Sequence, residues 1–459
     1  MQNDRERRAP NIILINADDL GYGDLGCYGS TINKTPNIDR MAENGLRLTN
    51  FYMASPVCSP SRGAMMTGCY PKRISFSLFE GKAVLFPGQG VGLNPNEISM
   101  ALLLKSAGYR TMHIGKWHCG DQPAFLPTNH GFDHYYGLPY SNDMGRQPPN
   151  ADIFPPLPLM LDENVLEEQP DLAGLTGRYT EQAVRYMRDN RDNPFFLYLA
   201  HMHVHLPHYA PERFMRASLN GRFGGALACM DWSVGVVLDE LKRLGLEQNT
   251  LVIFTSDNGA RITAGGCNAP LRGSKNTTWE GGMRVPCILY QPGTIPKGIC
   301  DGMAASMDFF PTFARLAGAK IATDRIIDGI DMEPLLSGGP SGRKTFFYYS
   351  GENLCAVRAG AWKLHVFRRD ASYNGPVNEL YNLDLDIGES DNRYDAYPSI
   401  VQELTELIES CRVDLGDAST GCEGVNVRPA GRVDNPVPLT CFDPDHPYYM
   451  AIYDLCDRG

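Results

Sequence analysis

Four oxygen-bearing side chains stand just past the ends of two apolar runs. NIILIN, residues 11–16, leads into Ala-Asp-Asp and so delivers Asp18 and Asp19. LVIFTSDNG delivers Asp257 and Asn258 in the same manner. If both runs are strands of an open α/β sheet, these residues lie where ligands bind, beyond the carboxyl ends of the strands. Three carboxylates and one amide oxygen make an all-oxygen set, suited to Ca²⁺ or Mg²⁺ and not to zinc. Each pair alone also reads as a turn former; their shared position favours the hard-cation site.

Cationic and nucleophilic candidates cluster in three further stretches. GYRTMHIGKWHCG, residues 108–120, holds Lys116 and His118 two residues apart, on one face if the backbone is extended there. PLRGSKNTTWEGG, residues 270–282, offers Arg272 and Lys275 in a glycine-bearing loop. Lysines are mostly solvated surface groups, but these have glycine and aromatic neighbours rather than a charged helix face. AHMHVHLPH, residues 200–208, carries His201, His203, His205 and His208. Strand alternation would put the first three on one side, as a transition-metal site or as a strand end with partly satisfied imidazoles; the residues leave both open. In SPVCSPSRGAMMTG, residues 55–68, Cys58 precedes Ser-Pro-Ser-Arg. It could be a thiolate nucleophile helped by Arg62, or a small buried apolar residue. Spacing identifies no partner base.

Short apolar runs that alternate with helical patterns must position these groups. Residues 11–16, 194–200 and 250–256 read as buried strands. Residues 38–45, 98–108, 176–190 and 231–245 read as helices, and the last places Val234, Val237, Leu238 and Leu241 on one stripe closed by Gly245. This alternation predicts an α/β fold with a mostly parallel sheet flanked by helices. The pattern changes at LLSGGPSGRK, residues 335–344, a turn cluster. After it, TFFYYS, LCAVRAG and WKLHVF predict an antiparallel sheet, and SIVQELTELIESC a helix. The expected organisation is a catalytic α/β domain over residues 1–340 and a smaller α+β unit over residues 341–459.

The chain has 459 residues, 43% hydrophobic, which supports a large core, and 21% are charged, as in ordinary globular chains. Its formal net charge of −11 argues against nucleic acid as a partner. An anionic substrate would need a local cluster of cations, because the overall field opposes its approach. No apolar run is long enough to cross a bilayer. The stretch MQNDRERRAP lacks the apolar core of a secretory signal. A cytoplasmic protein is expected if Met1 is the native start, and a periplasmic, secreted or lysosomal one if a leader was removed. Thirteen cysteines, an odd number, leave at least one unpaired. If the protein is exported, a disulfide is expected among Cys411, Cys422, Cys441 and Cys456.

Taken in order, these stretches resemble one family. C-S-P-S-R followed by T-G resembles the signature of the type I sulfatases, and GYRTMHIGKWHCG resembles their second signature. INADDLGYGDLGCYG, TSDNGA, HGFDHYYGLPYSNDMG, GSKNTTWEGGMRVP and DGIDMEPLL resemble further segments of the family, especially of its arylsulfatase A and N-acetylgalactosamine-6-sulfatase branch. The resemblance implies an alkaline-phosphatase-like fold and hydrolysis of sulfate monoesters, with sulfated carbohydrate as substrate and aryl sulfates as surrogates. It implies that a formylglycine-generating maturation enzyme oxidises Cys58 to an aldehyde whose hydrate is a geminal diol. One hydroxyl attacks sulfur and the alcohol leaves; the second helps to eliminate sulfate and restores the aldehyde. It further implies a metal ion, calcium or magnesium, held by Asp18, Asp19, Asp257, Asn258 and an oxygen at position 58. Lys116, Lys275 and His205 would contact sulfate, Arg62 would orient the diol, His118 would act as base, and Ser141 would be a nearby polar contact. Either His205 or Lys275 could protonate the leaving alcohol. Cys69 and Cys119 depart from the family pattern and place extra thiols near the site in sequence. A glycan on the Asn276 sequon would obstruct the pocket. Two other functions fit the same scaffold: a phosphate or phosphonate monoester hydrolase, and an inactive homologue that binds sulfated glycans.

Overall fold

Residue 12 faces one core and residue 13 the other, and this alternation sets the architecture. In the computed structural model, which describes residues 9–146 and 153–448, every residue of the first strand is buried. Ile12 and Leu14 point into one apolar cluster, Ile13 and Ile15 into a second. A strand covered on both faces reads as a continuous apolar run, as this one does.

That strand, β1 (Asn11–Ala17), lies inside a ten-stranded mixed sheet. The others are β2 (Leu46–Leu48), β3 (Arg110–Gly115), β4 (His134–Gly137), β5 (Pro158–Leu161), β6 (Asn164–Glu168), β7 (Phe195–Ala200), β8 (Thr250–Ser256), β9 (Cys287–Tyr290) and β10 (Gly298–Cys300). Their order is β10-β2-β9-β8-β1-β7-β3-β4-β5-β6. The central run β8-β1-β7-β3-β4 is parallel throughout, and antiparallel pairs flank it. The carboxyl ends of β1, β3, β7 and β8 therefore open on one edge of the sheet.

Helices α1 (Pro36–Glu43), α4 (Leu172–Asp189) and α5 (Gly221–Arg243) cover one face. Helices α2 (Cys58–Thr67) and α3 (Met100–Ser106) cover the other. The predicted helices are all present. Helix α5 starts ten residues before the expected 231, because the glycines of GRFGGALACM are tolerated where Phe223, Ala226 and Leu227 supply a buried stripe. Gly245 follows its end with φ +70°, the left-handed cap that favours glycine.

The C-terminal strands β11 (Thr345–Ser350), β12 (Asn353–Ala359), β13 (Trp362–Arg369) and β14 (Asn374–Asn382) form the expected antiparallel sheet, and α6 (Pro398–Leu415) packs on it. Its core also takes in Tyr52 and Met283 from the first part of the chain. Beyond α6 the chain returns to the large sheet's side: the Val433 amide donates to the Gly90 carbonyl at 2.9 Å. Cys411, Cys422 and Cys441 are free thiols, which corrects the expected disulfide among them; Cys456 lies outside the described residues. Among the described residues no helix is long and apolar enough to cross a membrane.

Candidate active site

Helix α2 explains the spacing of CSPSR. Cys58 is its first residue, and Pro60 falls in the first turn, where no backbone N–H is required. Each neighbour has a separate task. Ser59 Oγ accepts from the Leu85 amide at 3.1 Å. Ser61 Oγ donates to the Asp257 carbonyl at 2.5 Å. Arg62 reaches the Asp257 carboxylate at 2.8 Å and donates through Nη1 to the Lys116 carbonyl at 2.7 Å. The helix thus binds the ends of β8 and β3 together.

All the predicted site residues meet at that edge. Cys58 Sγ lies 3.7 Å from Asp18 Oδ1. Lys116 Nζ lies 2.5 Å from Asp18 Oδ2 and donates to Ser141 Oγ at 3.2 Å. Lys275 Nζ lies 2.8 Å from Asp19 Oδ2, and His205 Nε2 lies 3.7 Å from the same oxygen. Asn258 Nδ2 donates to Asp19 Oδ1 at 2.7 Å. His118, Ser141, His205, Lys275 and Cys58 line one open cavity of 620 Å³. Asn276 is exposed at its rim, so a glycan there would stand over the opening.

Backbone geometry corrects two expectations. Lys116 and His118 are not on a continuing strand: β3 stops at Gly115 with φ +103°, and His118 has φ +60°. A Cβ at Gly115 would sit 1.8 Å from the Ala200 carbonyl oxygen, so only glycine fits there. The histidine run also leaves its strand, since β7 ends at Ala200. His201 and His203 are buried without hydrogen-bond partners, and burial lowers both imidazoles to about 3. His205 alone of the four joins Asp18, Asp19 and Cys58 as a potential metal-ligand group, so among the described residues the four histidines do not gather into one site. Cys69, beyond the far end of α2, takes a hydrogen bond from Arg428 at 3.3 Å and stands apart from Cys58.

The sulfatase family profile matches residues 10–319. The chain belongs to the sulfatase family. As a sulfatase it is an enzyme that hydrolyses sulfate esters. It is 39% identical to arylsulfatase A from Homo sapiens over 87% of each chain. It is 41% identical to N-acetylgalactosamine-6-sulfatase from Rattus norvegicus over 78% of this chain and 71% of that one. Among solved structures, PsFucS1 sulfatase from Pseudoalteromonas sp. superposes with a TM-score of 0.80 at 29% identity, covering 88% of this chain and 90% of that one. Such neighbours have the alkaline-phosphatase-like fold that the sequence implied.

The electrostatics of this sulfatase follow from burial among opposing charges. Burial alone would raise the Asp18 carboxyl, but Lys116, His205, Arg62 and Lys275 hold it well below the usual range. Asp19 is likewise lowered against burial, chiefly by Lys275 and His205. Asp257 goes the other way: burial and the neighbouring Asp18 lift it to about 6 despite Arg62. Burial pushes the Cys58 thiol up to about 12, although Lys116 and Lys275 oppose this. His118 is held neutral by burial and by Lys116. Its Nε2 lies 3.0 Å from the Leu85 carbonyl, which only accepts, so Nε2 carries the proton and Nδ1 is left unprotonated.

The donor set fits a hard cation. The side-chain oxygen of Asn258 is buried and has no hydrogen-bond partner, although its own N–H groups are both used. A buried oxygen in that state is costly unless something positive meets it. Asp18 and Asp19, which form one potential metal-ligand group with Cys58 and His205, would supply further oxygens, and the Asp257 carboxylate, which accepts from the Asp19 amide at 3.2 Å, would add another.

Sequence reasoning missed the far wall of the cavity, made by Val84, Phe86, Met144 and Phe154 with Asp143 and Arg261. It also missed the buried brace under the Lys275 loop. Lys363 of β13 is 2.9 Å from Glu280 and 2.8 Å from Glu389, and it donates to the Thr278 carbonyl at 2.9 Å. A lone lysine in a predicted strand gives no hint of such a role.

Proposed function

We propose that this sulfatase uses an oxygen nucleophile at position 58, made when a maturation enzyme converts Cys58 to formylglycine, beside a calcium ion, with magnesium the alternative. The observation that carries this reading is Cys58 itself: a buried thiol, raised to about 12, whose Sγ lies 3.7 Å from a carboxylate oxygen. A thiol held neutral is a poor nucleophile, yet everything around it is arranged for anion transfer. Hydrated formylglycine supplies two hydroxyls on one carbon, one for attack on sulfur and one for expelling sulfate. Asp18, Asp19, Asp257 and Asn258 would hold the ion, which supplies positive charge against the sulfate oxygens and a lowered hydroxyl pKa.

The chain's own residues do the rest. Three buried carboxylates are balanced by Arg62, Lys116 and Lys275, so a bound divalent ion would make the site net positive within a chain of net charge −11. Lys116 and Lys275 act as fixed donors to sulfate oxygens, matched to charge that spreads in the transition state, and His205, whose Nδ1 donates to the Leu206 carbonyl at 2.6 Å, joins them through Nε2 when its ring holds both protons. Ser141 orients Lys116. Arg62 keeps Asp257 in place and ties α2 to the end of β3. His118 takes a proton at Nδ1 as sulfate is expelled, and His205 or Lys275 supplies one to the leaving alcohol.

Sulfated carbohydrate is the proposed substrate class, supported by the N-acetylgalactosamine-6-sulfatase relatives and by a sulfatase-fold neighbour of 30% identity solved in complex with a neocarrahexaose. Turnover of paired aryl sulfate and aryl phosphate esters tests the reaction. Sulfate preferred supports it; phosphate preferred by a wide margin makes the protein a phosphate or phosphonate monoester hydrolase.

A further inference from the structure

Away from the sulfate-binding end, the cavity wall changes character. Among the described residues, Val84, Phe86, Met144 and Phe154 line it there with Asp143 and Arg261, and Lys82 Nζ lies 5.9 Å from the Phe86 ring centroid. The Phe86 and Phe154 rings lie 23° from parallel with centroids 6.0 Å apart, so the two pack as a pair in this wall. Both are half-buried, so part of each ring faces the opening.

This wall is fixed to the catalytic end. Leu85, next to Phe86, donates its amide to Ser59 of α2 at 3.1 Å and takes His118 Nε2 on its carbonyl at 3.0 Å. The C-terminal segment holds both halves from outside. The Val433 amide bonds to the Gly90 carbonyl at 2.9 Å, and Thr440 Oγ1 bonds to the Pro156 carbonyl at 2.5 Å, two residues from Phe154. A wall anchored at both ends is preorganised to receive a ligand.

Resting on the sulfatase reading above, we propose that Phe86 and Phe154 form the leaving-group subsite and select sulfate esters whose alcohol presents a flat apolar ring face. Two leaving groups offer that face: an aryl ring, and the C–H side of a pyranose. Among the described residues the charged groups beside this wall are Asp143, Arg261 and Lys82, so both signs are present and additional sulfates on the leaving group gain little net attraction.

The test uses matured enzyme and four esters: an aryl sulfate, a methyl galactopyranoside 6-sulfate, a 4,6-disulfate of the same sugar, and a short linear alkyl sulfate. In the native enzyme at least one ring ester should exceed the alkyl sulfate in kcat/KM; because a phenol also leaves more readily than an alkanol, the source of the face is the ester whose preference depends on the two rings. In the Phe86→Ala/Phe154→Ala double variant that preference should fall about tenfold or more. Phe86→Trp, which keeps a flat face, should retain it. A preference that survives the double variant overturns the proposal, as does a native enzyme that favours the disulfate over the monosulfate. Turnover of no sulfate ester by the native enzyme would instead refute the sulfatase mechanism itself. Inhibition by inorganic sulfate, measured on the double variant, reports whether the catalytic end is still assembled. If it is lost, the single variants Phe86→Leu and Phe154→Leu carry the same comparison.

Discussion

Replacing Lys275 by alanine removes one of the cations proposed to meet sulfate. Its side chain is 9% exposed and its ammonium lies 2.8 Å from Asp19, so the charge acts in a largely desolvated site. At an effective dielectric constant of about 20, a charge about 4 Å from a sulfate oxygen contributes about 4 kcal/mol. Removal of a single preorganised donor in comparable sites costs about 10²–10³ in rate. The two agree, so kcat/KM for an aryl sulfate should fall about 10²–10³-fold. Inorganic sulfate should also inhibit more weakly, because the lost contact is with the sulfate group and not with the alcohol. The loop should survive, since it is held by other groups: the Lys275 amide bonds to the Ala260 carbonyl at 3.1 Å, and Lys363 braces Thr278 and Glu280. Steady-state kinetics with sulfate as competitor, alongside circular dichroism, measures all three. A folded variant with kcat/KM within about fivefold of native and unaltered sulfate inhibition would refute the assignment of Lys275 to the sulfate group.

Other outcomes follow from the same geometry. Cys58→Ser supplies one hydroxyl where two are needed, so it should release at most one equivalent of alcohol per enzyme and then stop; sustained turnover in a stopped-flow burst assay would contradict the two-hydroxyl requirement. Chelation should abolish activity, and Ca²⁺ should restore it better than Zn²⁺, as an all-oxygen donor set prefers; the reverse order in a reconstitution assay would argue for imidazole ligation. Gly115→Ala forces a Cβ to within 1.8 Å of the Ala200 carbonyl at φ +103°. It should cost about 3 kcal/mol or more in a urea melt, and a near-native midpoint would show that β3 and β7 yield there.

Much of the site was legible because its residues follow strands that announce themselves. Asp18, Asp19, Asp257 and Asn258 each stand one or two residues past a buried apolar run, and parallel pairing of β1 with β8 brings those ends together. What the sequence hid depends on backbone that leaves regular structure. Lys116 and His118 reach the site through the sharp turn after Gly115, not by strand alternation. His205 was separable from His201 and His203 only by resemblance, because the run has no fixed period once β7 ends. Phe86 and Phe154 are 68 positions apart in irregular segments, and no periodicity links them; only the fold shows that they share a wall. The cysteines were misread in the opposite sense. Crowding near the C-terminus suggested a bridge, but Cys411 packs beside Tyr349 and Cys422 donates to the Arg412 carbonyl.

The most direct test is the mass of the peptide spanning position 58, residues 48–62 after cleavage at Arg47 and Arg62, taken from fully active enzyme. An aldehyde or its hydrate, with sulfur lost and oxygen gained at Cys58, is the expected result. An intact cysteine thiol in enzyme that turns over at its full rate would contradict the oxygen nucleophile and the roles built around it.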